Sequence, residues 1–337
     1  DVGEPMLGLE IAWHCIRARR REEFARYLIS GSDEAIEQGA HVSAERALLT
    51  AIPNLDTGVR EQAQFRLALV LQDQGRWAES REVFPNHCAS DVANTLSSDA
   101  RATIVIANAM IESQNAVPFD EPLSALIGIM GSDVSPGMKL RAAAAAASYG
   151  ARTYHTRALE MVAPSLEAIS VLALTPLGRA DLGLSRAQLV WPLRRFDECM
   201  DRFDEALRHA PDLPVTSPLA MRVRLGRGFT LTAQARYDEA IGHLIEAARI
   251  ALHIGNDAQA AGVLTALAQC HTRLGRYDLA LSSIAQFHKL RHTDTARIHV
   301  LSALHHEAFA NSMLRRPDAA ITALTRGDLF IKDHEET

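Results

Sequence analysis

"CHTRLGRYDLALSSIAQF", residues 270–287, carries the motif on which the fold turns. A close echo, "LTAQARYDEAIGHLIEAA", occupies residues 231–248, so Arg-Tyr-Asp-x-Ala is written twice. Aligned on the small residue that ends this motif, Ala280 is preceded by Ala240 and by Cys199 in "RRFDEC", and followed by Ala320 in "RRPDAA". The steps are 41, 40 and 40 residues. "GRWAES" puts Ser80 in the same role almost three periods before Cys199, and Pro122 and Ala158 fill the gap at intervals of 42, 36 and 41. A fixed period of this size marks a repeat array, in which each unit buries its apolar face only against its neighbours.

The unit can be built from its residues. Seven positions before each turn stands a small residue, Ala187, Gly228, Ala268 or Ala308, which lets a second helix cross closely over the first. Gly75 and Gly275 supply the left-handed backbone that ends a helix. An aromatic follows (Trp77, Phe196, Tyr237, Tyr277) to plug the space between adjacent hairpins. The second helix then starts, with an apolar residue four places after its small residue: Phe84, Phe203, Leu244 and Ile284. Ala206 and Ala247 continue that stripe, and Pro211 stops one such helix. The pattern resembles the tetratricopeptide signature Gly-x-Tyr-x-x-Ala, most closely in residues 180–330. The period is about forty residues against thirty-four, and the surplus is expected in the second helix and loop, as in "AIGHLIEAARIALHIGND" (240–257). Residues 99–114, 118–130 and 136–152 read as further helices by periodicity and propensity. The fold class is therefore all-α: an α-solenoid of about eight helix-turn-helix repeats, tetratricopeptide-like. The expected division is 1–58, N-terminal helical repeats that open the array, and 59–337, one continuous superhelix.

Composition agrees. The 337 residues are 47% hydrophobic but only 5% aromatic, a bias toward helices packed through Ala and Leu. The net charge is −6 with both signs interspersed, and the one basic run, "RARRREEFAR" (17–26), is answered by Glu22 and Glu23. Nucleic-acid binding, which needs a one-sided basic surface, is not expected. No apolar run approaches the roughly twenty residues that span a bilayer, and no signal-peptide pattern opens the chain, so a cytoplasmic location is expected. Cys15, Cys88, Cys199 and Cys270 are far apart and read as small buried residues of a reducing compartment. The first residue is Asp1, which suggests a piece of a longer protein.

Residues 7–52, "LGLEIAWHCIRARRREEFARYLISGSDEAIEQGAHVSAERALLTAI", carry a second resemblance. Ala12-Trp13-His14, Tyr27-Leu28, Gly39-Ala40 and Ala44 to Leu49 are similar to the start of the helical-repeat region of bacterial signal-transduction ATPases with numerous domains, particularly the large ATP-binding LuxR-type regulators. That resemblance implies a superhelical sensor following an ATP-binding module and a winged helix, often with a DNA-binding tail. The chain itself contains no Gly-x4-Gly-Lys-Ser/Thr phosphate loop, so the implied ATPase would be a covalent neighbour outside it.

Catalytic patterns are incomplete. "HHEAFA" (305–310) lacks the second histidine of a zinc-protease helix, with Ala310 in its place. His288 and His292 are four apart but no third ligand joins them at fixed spacing. No strand precedes a dinucleotide fingerprint, and no Gly-x-Ser-x-Gly elbow occurs. Acidic pairs such as Asp197/Glu198 and Asp238/Glu239 recur at the turns as helix-start charges. A non-catalytic role without cofactor or metal is expected.

A binding function would sit on the first helices, which line the inner wall of such an array. Positions three before, one after and four after each small residue should face inward. These give Leu184, Gln188 and Trp191, then Leu225, Phe229 and Thr232, then Thr265, Gln269, Thr272 with Arg273, and finally His305, Phe309 and Ser312. Aromatics interspersed with hydrogen-bonding groups suit a peptide or ligand groove. The expected function is a regulatory sensor whose groove takes a protein partner, a peptide or a small-molecule inducer. The alternative is a stand-alone scaffold for peptide or protein binding.

Overall fold

The structure, a computed structural model, describes residues 7–84, 96–114, 120–153, 156–170, 174–211, 213–290 and 297–335. Among the described residues there are seventeen α-helices and no strand. They are α1 (Leu7–Arg17), α2 (Arg21–Glu37), α3 (His41–Ala51), α4 (Thr57–Asp73), α5 (Trp77–Glu82) and α6 (Ser98–Gln114). Next come α7 (Asp120–Gly131), α8 (Pro136–Thr153), α9 (Thr156–Ala168), α10 (Pro176–Val190) and α11 (Phe196–His209). The last six are α12 (Pro218–Ala233), α13 (Tyr237–Ile254), α14 (Asp257–Arg273), α15 (Tyr277–Phe287), α16 (Arg297–Met313) and α17 (Pro317–Glu335). They form eight hairpins, α1–α2 and then α4–α5 through α16–α17, with α3 as an extra helix between the first two hairpins. The architecture is an α-solenoid of tetratricopeptide-like repeats. Within the second unit α15 packs between its own first helix, α14, and the first helix of the next repeat, α16. The long second helix expected at 240–257 is α13, eighteen residues ending at Ile254, where Gly255 turns left-handed.

Why the hairpins close is visible at their turns. Left-handed residues stand two before the second helix: Arg19, Gly75, Arg194, Ala235, Gly275 and Arg315, all with φ between 56° and 74°. At five of these turns the next N–H bonds back to the carbonyl five residues earlier (Arg20 to Cys15, Arg76 to Leu71, Arg236 to Leu231, Arg276 to His271, Arg316 to Asn311). That paired-bond cap satisfies carbonyls a helix end leaves open. The first helices start on side-chain caps at a similar interval: Ser97, Ser135, Thr175, Ser217 and Asn256 accept from Ala100, Met138, Gly178, Ala220 and Gln259.

The small residues do what their size allows. Ala68, Ala187, Ala268 and Ala308 are buried, and the Ser80 hydroxyl and Cys199 thiol donate to the carbonyls of Ala68 and Ala187 across the hairpin. A Cβ on Gly228 would lie 2.6 Å from Leu244 Cδ2. The first hairpin crosses elsewhere, at Gly8 and Gly31, where an added Cβ on Gly8 would lie 2.6 Å from the Gly31 Cα. Phe24, at the small-residue position of α2, is buried in the core of the N-terminal helices.

The chain divides into two compact units, Asp1–Ala220 with His253–Gly255, and Met221–Leu252 with Asn256–Thr337. In the first unit the largest core runs from Ala102 to Leu189 through α6–α10, with Leu123, Leu126 and Val162 fully buried. This unit also closes on itself. The Thr216 hydroxyl donates to the Gln38 carbonyl (3.0 Å), and a Cβ on Gly39 would lie 2.2 Å from the Thr216 oxygen. Gly39 is thus required twice, by its φ of 80° and by that contact. In the second unit Ala268, Ala280, Ile284 and Ala310 form the seam between the last two hairpins.

Candidate functional site

The second unit repeats its first helix three times, as α12, α14 and α16, and one register of each carries the inward residues. At three before the small residue, Leu225 and Thr265 are buried, while His305 is exposed. Thr265, only 4% exposed, donates to the Gly262 carbonyl and belongs to the packing of α14. At one after, Phe229 and Gln269 are half-buried and Phe309 is 44% exposed. At four after, the Thr232 hydroxyl donates to the Gly228 carbonyl and meets the Cys270 thiol (3.3 Å), so it lies at the seam between α12 and α14. Thr272 is half-buried and Ser312 exposed. The Thr272 hydroxyl makes no hydrogen bond among the described residues. Exposure therefore rises toward the last hairpin, where Phe309 leans on Tyr277 (ring centroids 6.4 Å apart) and exposed Arg273 and His305 flank it.

Charge on this unit is uneven. His306 sits edge-on to His305 (5.2 Å), and burial, with His305 and Arg273 alongside, pushes its imidazole down to about 4. His243 is lowered by burial and then by Arg227 and Arg224; His271 by burial and Arg276. Burial and the neighbouring cations thus hold all three imidazoles toward the neutral form. Glu307 is an ionised carboxylate here: the hydrogen bond with His288 (3.0 Å) holds its carboxyl low, and Arg326 lies 3.4 Å away.

In the first unit, Leu184 is fully buried and Gln188 half-buried with its Oε1 unbonded among the described residues. Trp191 begins a short 3-10 turn, Trp191–Leu193, and packs on Phe196 (6.4 Å, tilted), so it serves the hairpin bend. The strongest electrostatic feature here is one the periodicity did not signal. Arg141 of α8 grips Asp73 of α4 with two bonds (2.8 and 3.1 Å), and His41 Nε2 meets the same carboxylate at 3.0 Å. Burial alone would raise the Asp73 carboxyl; Arg141 and His41 more than offset it and hold it well below the usual range. The arginine of the repeated motif, which follows the left-handed residue at each of the six hairpin turns, carries further ion pairs. Arg20, Arg76, Arg195 and Arg236 pair with Glu23, Glu79, Glu198 and Glu239 one helical turn on. Arg276 and Arg316 instead reach Asp238 and Asp278 of the preceding hairpin.

Among the described residues no group of three His, Cys, Asp or Glu could hold a metal ion, and no helix is long and apolar enough to cross a membrane. His288 pairs with Glu307, and His292 lies outside the described residues. Cys15, Cys199 and Cys270 are buried free thiols, Cys199 pushed up to about 12 by burial; Cys88 lies outside the described residues.

With this geometry in hand, similarity to known proteins can be placed. Residues 219–289, covering α12 to α15, match the tetratricopeptide repeat family model. No curated protein matches the sequence. Among solved structures, the chain resembles a signal transduction ATPase with numerous domains from Pyrococcus horikoshii that has a tetratricopeptide repeat sensor (12% identity, TM-score 0.54). The likeness covers 98% of this chain and 54% of that one. A Rap protein complexed with competence and sporulation factor is similar at 14% identity, with 93% and 99% covered and a TM-score of 0.52. So is the Cut9–Hcn1 hetero-tetramer of APC/C, at 14% identity, 94% and 65% covered and a TM-score of 0.51. At these identities the likeness is one of fold. The fold is a tetratricopeptide-like scaffold suited to binding protein.

Proposed function

We propose that this chain is a non-catalytic sensor that holds a peptide or protein segment on the first-helix surface of its second unit, and so regulates an ATPase or transcription regulator joined to it. The observation that carries the binding surface is the graded exposure along α12, α14 and α16. Phe309, Gln269 and Phe229 occupy one register, with His305, Arg273, Thr272 and Ser312 beside the outer end. Exposed Arg273 beside exposed Phe309 favours a ligand with a carboxylate next to an apolar side chain. Support for the regulatory role comes from residues 7–52 and from the likeness to the sensor-bearing archaeal ATPase, of which the chain spans about half. A stand-alone scaffold for peptides or proteins rests on the same surface, and the likeness to the Rap protein complexed with competence and sporulation factor favours it.

The test is a thermal-shift screen of the purified chain against metabolites, nucleotides, acidic and neutral peptides, and fractionated lysate. A ligand at a hundred times its dissociation constant adds about 2.7 kcal/mol, or a shift of a few degrees. A shift from peptides or protein fractions that disappears in Phe309→Ala and Arg273→Glu supports the proposal. A shift from a small-molecule fraction, lost in the same variants, makes it an inducer sensor. Shifts that survive both substitutions remove the binding role from this surface.

A further inference from the structure

A cleft of about 560 Å³ opens in the first unit, within the size range of small-molecule sites. Its wall is one face of α4, where Gly58, Glu61 and Phe65 stand three and four residues apart, and its rim is the chain leading into α6 and α8. No atom lies within 4 Å of a Cβ built on Gly58, so the cleft is open at that end. Half-buried Phe65 and Val134 supply its apolar part.

Helix starts ordinarily attract anions, but here their donors are taken. Glu61 accepts from the Ser97 N–H (3.1 Å) and Asp99 from the Ser135 N–H (2.9 Å), while the Ser97 and Ser135 hydroxyls accept from the N–H groups of Ala100 and Met138. Arg66, the one basic residue lining the cleft among the described residues, closes its fork on Asp33 (2.8 and 2.7 Å) and donates again to the Gln62 carbonyl. Glu61 and Asp99 each give one oxygen to a backbone N–H and keep the other, and exposed Asp133 gives neither among the described residues. The cleft is left with an excess of negative acceptors beside an aromatic ring. Its carboxylates do not gather closely enough to share one metal ion. We propose that it binds an extended aliphatic chain carrying two or more positive charges, as a linear polyamine or successive lysine side chains do. Separate carboxylates take the ammonium groups, the intervening methylenes lie against Phe65 and Val134, and a cation beside the ring gains further attraction.

Isothermal titration of the 337-residue chain with spermidine and with tri-lysine, at fixed ionic strength, tests this. Both should bind, and Asp133→Asn, which removes no hydrogen bond among the described residues, should weaken each several-fold. The triple variant Glu61→Gln, Asp99→Asn and Asp133→Asn keeps an oxygen for the Ser97 and Ser135 N–H groups, so helicity by circular dichroism should hold while binding is lost. Neutralising exposed Glu22, Glu37 and Glu167 instead, an equal change in net charge, should leave binding intact. Binding of spermidine alone supports the proposal with a free polyamine as the source, and of tri-lysine alone with a basic protein segment. No binding of either up to about 5 mM, beyond the affinity a few exposed ion pairs provide, overturns it. So does binding that survives Asp133→Asn and the triple variant, that falls equally in the control variant, or that magnesium ion displaces as well as the two amines displace each other.

Discussion

Arg19, Arg194, Ala235 and Arg315 hold a left-handed backbone without being glycine, which costs about 1–2 kcal/mol each. Gly75 and Gly275 meet the same demand freely. Two substitutions separate the effects. Nothing lies within 4 Å of a Cβ built on Gly275, so Gly275→Ala should destabilise by about 1 kcal/mol on backbone grounds alone. Ala235→Gly should stabilise by about 0.5–1 kcal/mol, the relief being partly offset by a freer unfolded chain. Denaturant midpoints of both variants check this, and equal shifts of one sign would sink the argument. Gly228→Ala is a different case. The new methyl meets Leu244 Cγ at 2.7 Å as well as its Cδ2, and Leu244 is fully buried, so overpacking costs about 1–3 kcal/mol despite better helix propensity. The identity of these small residues was open in the sequence because size and period announce themselves together. The burial of Thr265 was not, since the residue that covers a wall position belongs to another helix.

Hairpins, as elements, are held by two kinds of interaction that differ in how well a sequence reveals them. Period-forty contacts such as Ala187 with Cys199 repeat and can be aligned. The Asp73–Arg141 pair is written once, 68 residues apart, and links α4 to α8 past the intervening hairpin. No periodic reading could find it. α3 likewise stands outside the forty-residue pattern, a single helix between the first two hairpins. Because Asp73 is paired and nearly buried, Asp73→Asn strands the Arg141 guanidinium and should cost about 3 kcal/mol or more, whereas Asp73→Asn with Arg141→Met should recover most of the loss. Hydrogen exchange in α4 and α8 reads both. Were the double variant as unstable as the single one, the ion pair would be a net stabiliser rather than a mutual constraint. The turn arginines are legible in the repeated motif itself, since Arg follows the left-handed residue at all six turns. Their partners differ along the chain, and that difference depends on how closely adjacent turns approach.

Across the whole molecule, acid should act on the two units in sequence. His306 titrates near 6.5 when unfolded and about 4 when folded, so the unfolded state binds the extra proton between those values. Stability of the second unit is complete above about pH 6.5 and falls as pH drops toward 4, by about 1–2 kcal/mol once partial exposure is allowed for. His243 and His271 shift in the same direction and add to the slope. Asp73, lowered below the ordinary carboxylate value of 3.8, destabilises the first unit only as pH falls beneath that value. Trp13, Trp77 and Trp191, the only three tryptophans, all lie in the first unit. Acidification from pH 6.5 to 4 should therefore lower the thermal midpoint seen by circular dichroism before that seen by tryptophan emission, and His306→Gln should flatten the early decline. Coincident loss of both signals would mean the units unfold as one.

The buried thiols offer a way to time such events. Cys15 lies in the first hairpin, Cys199 on α11 and Cys270 between α12 and α14, each sealed by its nearest helices. In a chain stabilised by neighbours, a reagent reaches each sulfur when that local stretch parts, whatever the rest is doing. With Cys88 replaced by Ser, alkylation followed by peptide mass mapping turns these three sulfurs into clocks set at different points along one molecule, and their order of firing records where the array comes apart first.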